Sequence, residues 1–160
     1  MKSLLTVAAL LLFSCGAVHS AIPERPPTAS TDLQIVRAEF GLMNISESGR
    51  PQFIPSRTIP LKVDQEYGWV ILVKTSKAKI KLREEFTLPS APEIWGGFET
   101  LDAVSISADR RTAMTEQEVE PVEGFVFRSW TVAPGDPAGR YRIRIIIDDS
   151  VEQVFEFDVE

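Results

Sequence analysis

The stretch Asp136-Pro137-Ala138-Gly139-Arg140-Tyr141-Arg142-Ile143 predicts a tight corner that opens onto a β-strand. Proline and glycine favour the turn, and apolar residues then recur at every second position through Ile147, as on one face of a strand. A tyrosine at such a corner in a sandwich returns its hydroxyl to the backbone a few residues upstream, and the residue two positions later points inward. We therefore expect Tyr141 to brace the corner and Ile143 to lie in the core.

Working outward, short strand-like runs alternate with turn residues at close spacing. The run Tyr67 to Lys74 is almost continuously apolar, which suits a central strand, and makes Trp69 the candidate core tryptophan. Residues 114–119 fit either a short strand or a turn of helix. The chain is predicted to be all-β, an immunoglobulin-like antiparallel β-sandwich of about 7–9 strands. The other predicted strands cover residues 33–43, 58–62, 78–88, 101–107 and 124–132.

The C-terminal region predicts a hairpin whose return strand carries Phe155, Phe157 and Val159 on one face. An odd number of loop residues keeps both apolar faces on the core side. With a loop of Asp149 to Val151, Arg144 lies opposite Glu156 and Arg142 lies opposite Asp158. Opposite charges facing each other across a ladder stabilise it.

The N-terminal residues have the pattern of a secretory signal peptide. Lys2 precedes an apolar run from Leu4 to Phe13, and small residues follow up to Ser20. The run is about half of the roughly 20 apolar residues that a membrane-spanning helix needs. We favour cleavage after Ser20. The alternative is lipoprotein processing at Cys15, since residues 12–15 resemble a lipobox.

This pattern divides the chain into a signal peptide (1–20), a proline-rich tether (21–32) and one sandwich domain (33–160). Under either processing route the folded domain has no cysteine, and cleavage after Ser20 removes His19 with the signal. Ser-His-Asp triads, Cys-His dyads and sites built on histidine or cysteine ligands are therefore excluded from the mature chain. Residues 21–160 hold 16 basic and 23 acidic side chains, a net charge of −7, so nucleic acid is not an expected partner.

Two stretches are candidate partner-binding surfaces. Lys77, Lys79, Lys81 and Arg83 alternate along one strand. They form either a basic stripe for an anionic envelope partner, a solvated face, or charges that protect a sheet edge.

The second candidate is Trp95-Gly96-Gly97-Phe98, in which Trp95 and Phe98 flank a glycine pair in a loop. These aromatic residues either stack on a sugar ring or a protein partner, or fold back over the open end of the sandwich.

Acidic side chains cluster between Glu116 and Glu123 and again at Asp148-Asp149. Neither stretch has the spacing of a calcium-binding loop, so solvated surface is the preferred interpretation over a calcium site. Glycoside hydrolysis by paired carboxylates needs a cleft that a small sandwich rarely provides. We predict no catalytic, cofactor-binding or metal-binding residues.

Several segments together resemble a bacterial family catalogued as domain of unknown function 3859. They are Thr58-Ile59-Pro60, the Trp130 strand that leads into Pro137 to Ile143, and Phe155-Glu156-Phe157-Asp158-Val159. The likeness covers most of the mature chain and implies an immunoglobulin-like fold in a cell-envelope setting. It implies no catalytic or binding residues.

We therefore expect a non-enzymatic module, periplasmic or secreted, that contacts a protein or glycan of the envelope. Its only expected membrane attachment is a lipid anchor at Cys15. Two alternatives remain open: a small envelope enzyme that uses carboxylates or calcium, and a chaperone-like domain that donates an edge strand.

Overall fold

The computed structural model describes residues 32–45, 51–96 and 103–160, all within one compact unit, Thr31–Glu160. The predicted signal peptide, with Cys15, and nearly all of the tether lie outside the described residues, as does Phe98. Within the described ranges the chain forms strands and no helix. The strands are β1 (Leu33–Ile45), β2 (Pro51–Pro55), β3 (Thr58–Ile59), β4 (Glu66–Thr75), β5 (Ile80–Thr87), β6 (Ala103–Ile106), β7 (Thr112–Val119), β8 (Phe125–Thr131), β9 (Gly139–Ile147) and β10 (Val151–Val159).

Two sheets pack face to face. The four-stranded sheet, sheet A, has the order β2-β1-β4-β8, and the six-stranded sheet, sheet B, has the order β3-β10-β9-β5-β7-β6. All neighbours are antiparallel except β3 and β10, which pair in parallel over two residues. The predicted β-sandwich is confirmed, with ten strands in the described residues rather than about 7–9.

The structure decides one choice that the sequence left open, shortens one predicted strand and adds another. Residues 112–119 are a strand, which settles the choice between strand and helix that the sequence left open. The second predicted strand contracts to Thr58–Ile59, because Pro60 has no N–H with which to continue a ladder. Residues 51–55, for which the sequence predicted no strand, form edge strand β2 between two prolines.

The corner before β9 is braced as predicted. The Tyr141 hydroxyl donates to the Pro137 carbonyl oxygen at 2.7 Å, and the side chain is buried. Gly139 has a φ of 133°, a conformation that side chains disfavour, which lets the chain turn into the strand. Two residues beyond Tyr141, Ile143 is fully buried.

The core lies between the sheets and is rich in aromatic side chains. Trp69 is fully buried on β4, an interior strand of sheet A, as the sequence predicted. Phe40 of β1 stacks on Phe157 of β10 with ring centroids 4.2 Å apart. Tyr67 and Tyr141 lie beside the same Phe157 ring. These contacts join the first strand to the last.

The β9–β10 hairpin has the predicted parity, but its register differs by two residues. Its three-residue loop is Asp148 to Ser150, so Arg142 pairs with Glu156 and Arg140 with Asp158. The turn forms here because Asp148 and Asp149 both adopt left-handed φ values, 50° and 53°, which aspartate tolerates. The Asp148 carboxylate also accepts the Lys81 N–H at 2.8 Å, which fixes the loop against β5.

Replacing Tyr141 by phenylalanine removes the corner hydrogen bond while keeping the ring in the core. We expect Tyr141→Phe to lower the free energy of unfolding by about 1 kcal/mol, the net worth of such a bond. Urea denaturation measures the change. Tyr67→Phe is the matched control, since no hydrogen bond of the Tyr67 hydroxyl is seen within the described residues. Equal losses in the two variants would contradict a bracing role for Tyr141.

Candidate functional site

A cleft of about 310 Å³ opens at the end of the sandwich where β4 and β9 begin and β5 and β8 end. We call it the end cleft. Aromatic side chains from both sheets and one loop form most of its wall: Tyr67, Phe86, Trp95, Trp130 and Tyr141. On each of the four strands that reach this end, the inward-facing residue nearest the end is aromatic, so the rings meet here.

Trp95 closes one side of the end cleft. It is half-buried, packs edge-on against Phe86 with ring centroids 5.9 Å apart, and donates its indole N–H to the Arg110 carbonyl oxygen at 2.8 Å. Arg110 in turn donates to the Glu93 carbonyl oxygen at 3.1 Å. Of the two arrangements left open by the sequence, Trp95 adopts the one that folds back over the sandwich, and it still presents surface to the cleft.

The residues that line the end cleft include the polar Tyr67, Ser129, Thr131, Asp136 and Tyr141. Asp136 accepts the Ala133 N–H at 2.8 Å, and burial raises the pKa of its carboxyl group. Burial, together with Tyr141 and Asp136, also raises the pKa of Tyr67, so its hydroxyl remains a hydrogen-bond donor at neutral pH. The cleft thus offers aromatic faces, one carboxylate acceptor and one phenolic donor.

Behind the Trp130 wall, a carboxylate is buried between the sheets. Glu84 is 1% exposed and accepts the indole N–H of Trp69 at 2.5 Å and that of Trp130 at 3.1 Å. Arg128 Nη1 lies 3.3 Å from Glu84 Oε1 and 2.7 Å from the Thr115 hydroxyl oxygen. Burial raises the pKa of Glu84, against the opposing effects of Arg128 and the two indoles.

The sequence analysis did not identify this network. Glu84 continues the inward series of Ile80 and Leu82 on β5, which ends with Phe86. The period-two pattern of β5 was the available signal. An isolated buried carboxylate is costly, and the donors that offset this cost come from residues far away in sequence.

In the predicted basic stripe, Lys81 and Arg83 lie on β5 of sheet B, and three of the four side chains lie beside acidic neighbours. Lys77 Nζ is 2.8 Å from Asp148, Lys81 Nζ is 3.0 Å from Glu116, and Arg83 Nη1 is 3.6 Å from Asp149. Lys77 and Lys79 precede the strand, so the two lysines are not part of its ladder.

Strand β5 lies between β9 and β7, so the edge-protecting interpretation of the stripe is wrong. The cross-strand ion pairs instead support a paired, solvated face.

The described residues contain no metal-binding cluster among the other candidate sites. Within residues 32–45, 51–96 and 103–160, no group of three or more histidine, cysteine, aspartate or glutamate side chains is placed to hold a metal ion. Glu116, one of the acidic cluster, pairs with Lys81. The same part of the chain contains no helix long and apolar enough to span a membrane. Phe98 and Cys15 cannot be placed, since they lie outside the described residues.

Comparison with known proteins identifies a family and a fold. A family model described as PM0630 beta sandwich domain matches residues 38–160. Among solved structures, an immunoglobulin-like protein (PA1606) from Pseudomonas aeruginosa aligns with a TM-score of 0.54 and 16% identity, over 82% of this chain and 99% of that one. At this identity the likeness supports the fold alone. No curated protein matches the chain.

Two further matches are structurally weaker. A β-glucosidase from Listeria innocua aligns with a TM-score of 0.42 and 12% identity, over 79% of this chain and 16% of that one. An alkylpurine DNA glycosylase from Pseudomonas fluorescens aligns at 0.34 and 10% identity, over 77% of this chain and 30% of that one. The chain spans only a minor part of each enzyme, and neither match carries a functional argument.

The Glu84–Arg128 pair yields a stability prediction. Glu84→Leu leaves the Arg128 charge buried without its partner, so we expect a loss of about 3 to 5 kcal/mol in urea denaturation at pH 7. The double variant Glu84→Leu/Arg128→Leu removes both charges and should be more stable than the single variant.

The matched control for the Glu84 prediction is Glu116→Leu, which replaces an exposed glutamate on the neighbouring strand. We expect it to change the free energy of unfolding by no more than about 0.5 kcal/mol. A loss below about 1 kcal/mol for Glu84→Leu, or a double variant less stable than the single one, would refute the pairing argument.

Proposed function

The chain belongs to the PM0630 beta sandwich domain family, and from that premise we propose that it is an exported, non-enzymatic immunoglobulin-like module of the bacterial cell envelope. Its role is to bind a glycan through the end cleft. The sequence resemblance to domain of unknown function 3859 supports the envelope setting, and the proposal places the chain with those exported proteins.

Export is supported by the first twenty residues. The single basic residue Lys2, the short apolar run and the small residues before Ala21 form the three regions of a secretory signal. The mature protein is periplasmic or secreted. Signal-peptidase cleavage after Ser20 releases it as a free domain, and processing at Cys15 attaches it by lipid.

The non-enzymatic part of the proposal is supported by chemistry that sequence alone supplies. Residues 21–160 contain neither histidine nor cysteine, the side chains most often used for proton transfer near neutral pH and for nucleophilic attack. The end cleft instead presents groups that hold a ligand in place.

The observation that carries the glycan proposal is the composition of the end cleft. Aromatic faces pack against the C–H faces of a sugar ring, and hydroxyl groups at the ring edge both donate and accept hydrogen bonds. Asp136 is an acceptor and Tyr67 a donor on the same wall. A volume of about 310 Å³ lies at the small end of ligand sites, which run from about 300 to 1,000 Å³. One sugar residue of a longer glycan fits this space.

Saturation-transfer difference NMR with a panel of neutral monosaccharides tests the proposal. The panel contains glucose, galactose, mannose, rhamnose and N-acetylglucosamine. We expect signal from the ring protons of at least one sugar. Trp95→Ala should raise its Kd at least tenfold, and Asp136→Asn should raise it several-fold because the charge-assisted hydrogen bond is lost.

Phe127→Ala is the matched control for the sugar experiment, because it removes an exposed aromatic side chain from outside the cleft. It should leave the Kd within twofold of wild type. Because Trp95 packs on Phe86, thermal denaturation must show that Trp95→Ala is folded at the temperature used. No signal from any sugar, or a signal that survives Trp95→Ala in folded protein, would overturn the glycan proposal.

The processing site yields a separate prediction. Intact mass spectrometry of the protein exported from a bacterial host should give the mass of residues 21–160, because Val18 and Ser20 present small side chains to the signal peptidase. A mass that begins at an acylated Cys15 would replace the free domain by a lipid-anchored one. A mass that retains residues 1–20 would contradict export.

A further inference from the structure

Strand β8 has a free edge. Among the described strands it pairs with β4 alone. The flanking bonds from the Val73 N–H to the Gly124 carbonyl oxygen and from the Val132 N–H to the Gln65 carbonyl oxygen fix which residues bond to β4. Antiparallel pairing alternates, so every second residue from Gly124 directs its backbone groups to β4. Phe127, Ser129 and Thr131 therefore direct theirs away from the sheet. They have no hydrogen-bond partner within the described residues.

Sheet B extends beyond this edge. Arg128 of β8 contacts Glu84 of β5 and Thr115 of β7, so β8 lies over these two strands. Strand β6 lies one strand further out, next to β7.

The inner side of β6 is apolar and partly exposed. Val104 is paired with Thr115 and Ile106 with Ala113, and both partners are buried, so the two apolar side chains face the interior side of sheet B. Each is nevertheless 39% exposed. Within the described ranges, no strand of sheet A continues over them. The free edge of β8 and the inner face of β6 together form an open groove, which we call the β8 groove.

The surroundings of the β8 groove match the requirements of an added strand. On its outer side, Phe127 is 66% exposed. On its inner side, the Arg128 side chain is 10% exposed, and its Nη2 is buried without a hydrogen-bond partner within the described part of the chain. An unpartnered buried donor of this kind is costly unless an acceptor is supplied.

We propose that the β8 groove accepts one extended peptide segment of another protein, which adds to β8 as a fifth strand of sheet A. Its backbone bonds to the free groups of Phe127, Ser129 and Thr131. Its alternate side chains are apolar and cover Val104 and Ile106, as in other strand additions. An oxygen-bearing side chain opposite Arg128 supplies the missing acceptor. The groove adjoins the end cleft at Ser129 to Thr131, but its partner and its chemistry are different.

The groove has room for one strand and excludes a second copy of β8. A neighbouring strand lies about 4.8 Å from β8, which places it over β6. In a dimer that paired β8 with β8, strands β7 and β6 of the second copy would lie beneath the β8 of that copy. They would enter the space that β6 of the first copy already occupies. The geometry therefore selects a single extended segment over a symmetric dimer.

A displayed library of random linear 12-residue peptides tests the proposal, with selection on the mature wild-type chain and counter-selection on Ser129→Pro. Proline removes the free N–H at the edge without breaking the β4 ladder. Synthetic copies of the enriched peptides are then titrated by fluorescence anisotropy. We expect alternating apolar residues in these peptides. The Kd should rise at least tenfold in Ser129→Pro and stay within twofold of wild type in Ser129→Ala.

A second variant keeps the test decisive if Ser129→Pro fails to fold. Val104→Lys places a charge on the groove floor and should weaken peptide binding at least tenfold. Val36→Lys, the same change at an exposed position on β1, should leave it within twofold. Amide hydrogen exchange adds a direct readout: saturating peptide should slow exchange of Phe127, Ser129 and Thr131 at least tenfold.

The results that would overturn the β8 groove proposal differ from those that would overturn the glycan proposal. Trp95→Ala should bind the peptides as well as wild type, so loss of sugar binding alone leaves the β8 groove intact. No enriched peptide, or peptides that bind Val104→Lys as tightly as wild type, would overturn the inference. A dimer in sedimentation velocity that Ser129→Pro dissociates would assign the edge to a second copy instead.

Discussion

The carboxylate of Glu84 links the two sheets at the side where sheet A ends. It receives both indole N–H groups from sheet A and faces Arg128 from the same sheet, so three side chains of β4 and β8 bond to one residue of β5. A single buried carboxylate would be costly in an apolar core, and these donors offset that cost. The position of Trp130, and through it one wall of the end cleft, follows from this arrangement.

Strand β8 is thus the element on which both proposed surfaces depend. Its inward residues Arg128 and Trp130 are fixed by Glu84, while its outward residues and its backbone edge face solvent. A strand held firmly from one side and open on the other can present a ligand site at its end and a pairing site along its length. The polar network supplies the rigidity that such sites require.

Period-two patterns in the sequence were sufficient for much of the fold. Alternation gave the correct parity for the last hairpin, while the continuous apolar run placed Trp69 in the core and the tyrosine corner placed Ile143 there. Alternation could not give the register, because the apolar faces remain inward after a shift of two residues. The left-handed φ values at Asp148 and Asp149, and the bond from Asp148 to β5, decided it.

The site was less accessible from sequence than the fold. Trp95 was identified as a candidate because it lies in a glycine-containing loop, but its packing on Phe86 and the joining of five aromatic residues depend on tertiary contacts. The inward position of Glu84 agrees with the period-two pattern of its strand, but a charged side chain is not expected in an apolar core. Only the indole and guanidinium donors, up to 46 residues away in sequence, resolve that conflict.

Strand β10 lies in the interior of sheet B, between β3 and β9, although it is the last strand in chain order. Its Phe157 stacks on Phe40 of the first strand, which also contacts Tyr67 of β4, so the aromatic cluster on the core face of β1 is incomplete until β10 is available. Contacts between such distant segments make folding slow. Because a polypeptide is synthesised from its N-terminus, this cluster cannot close until the ribosome has released the end of the chain, so the domain completes its core only after translation.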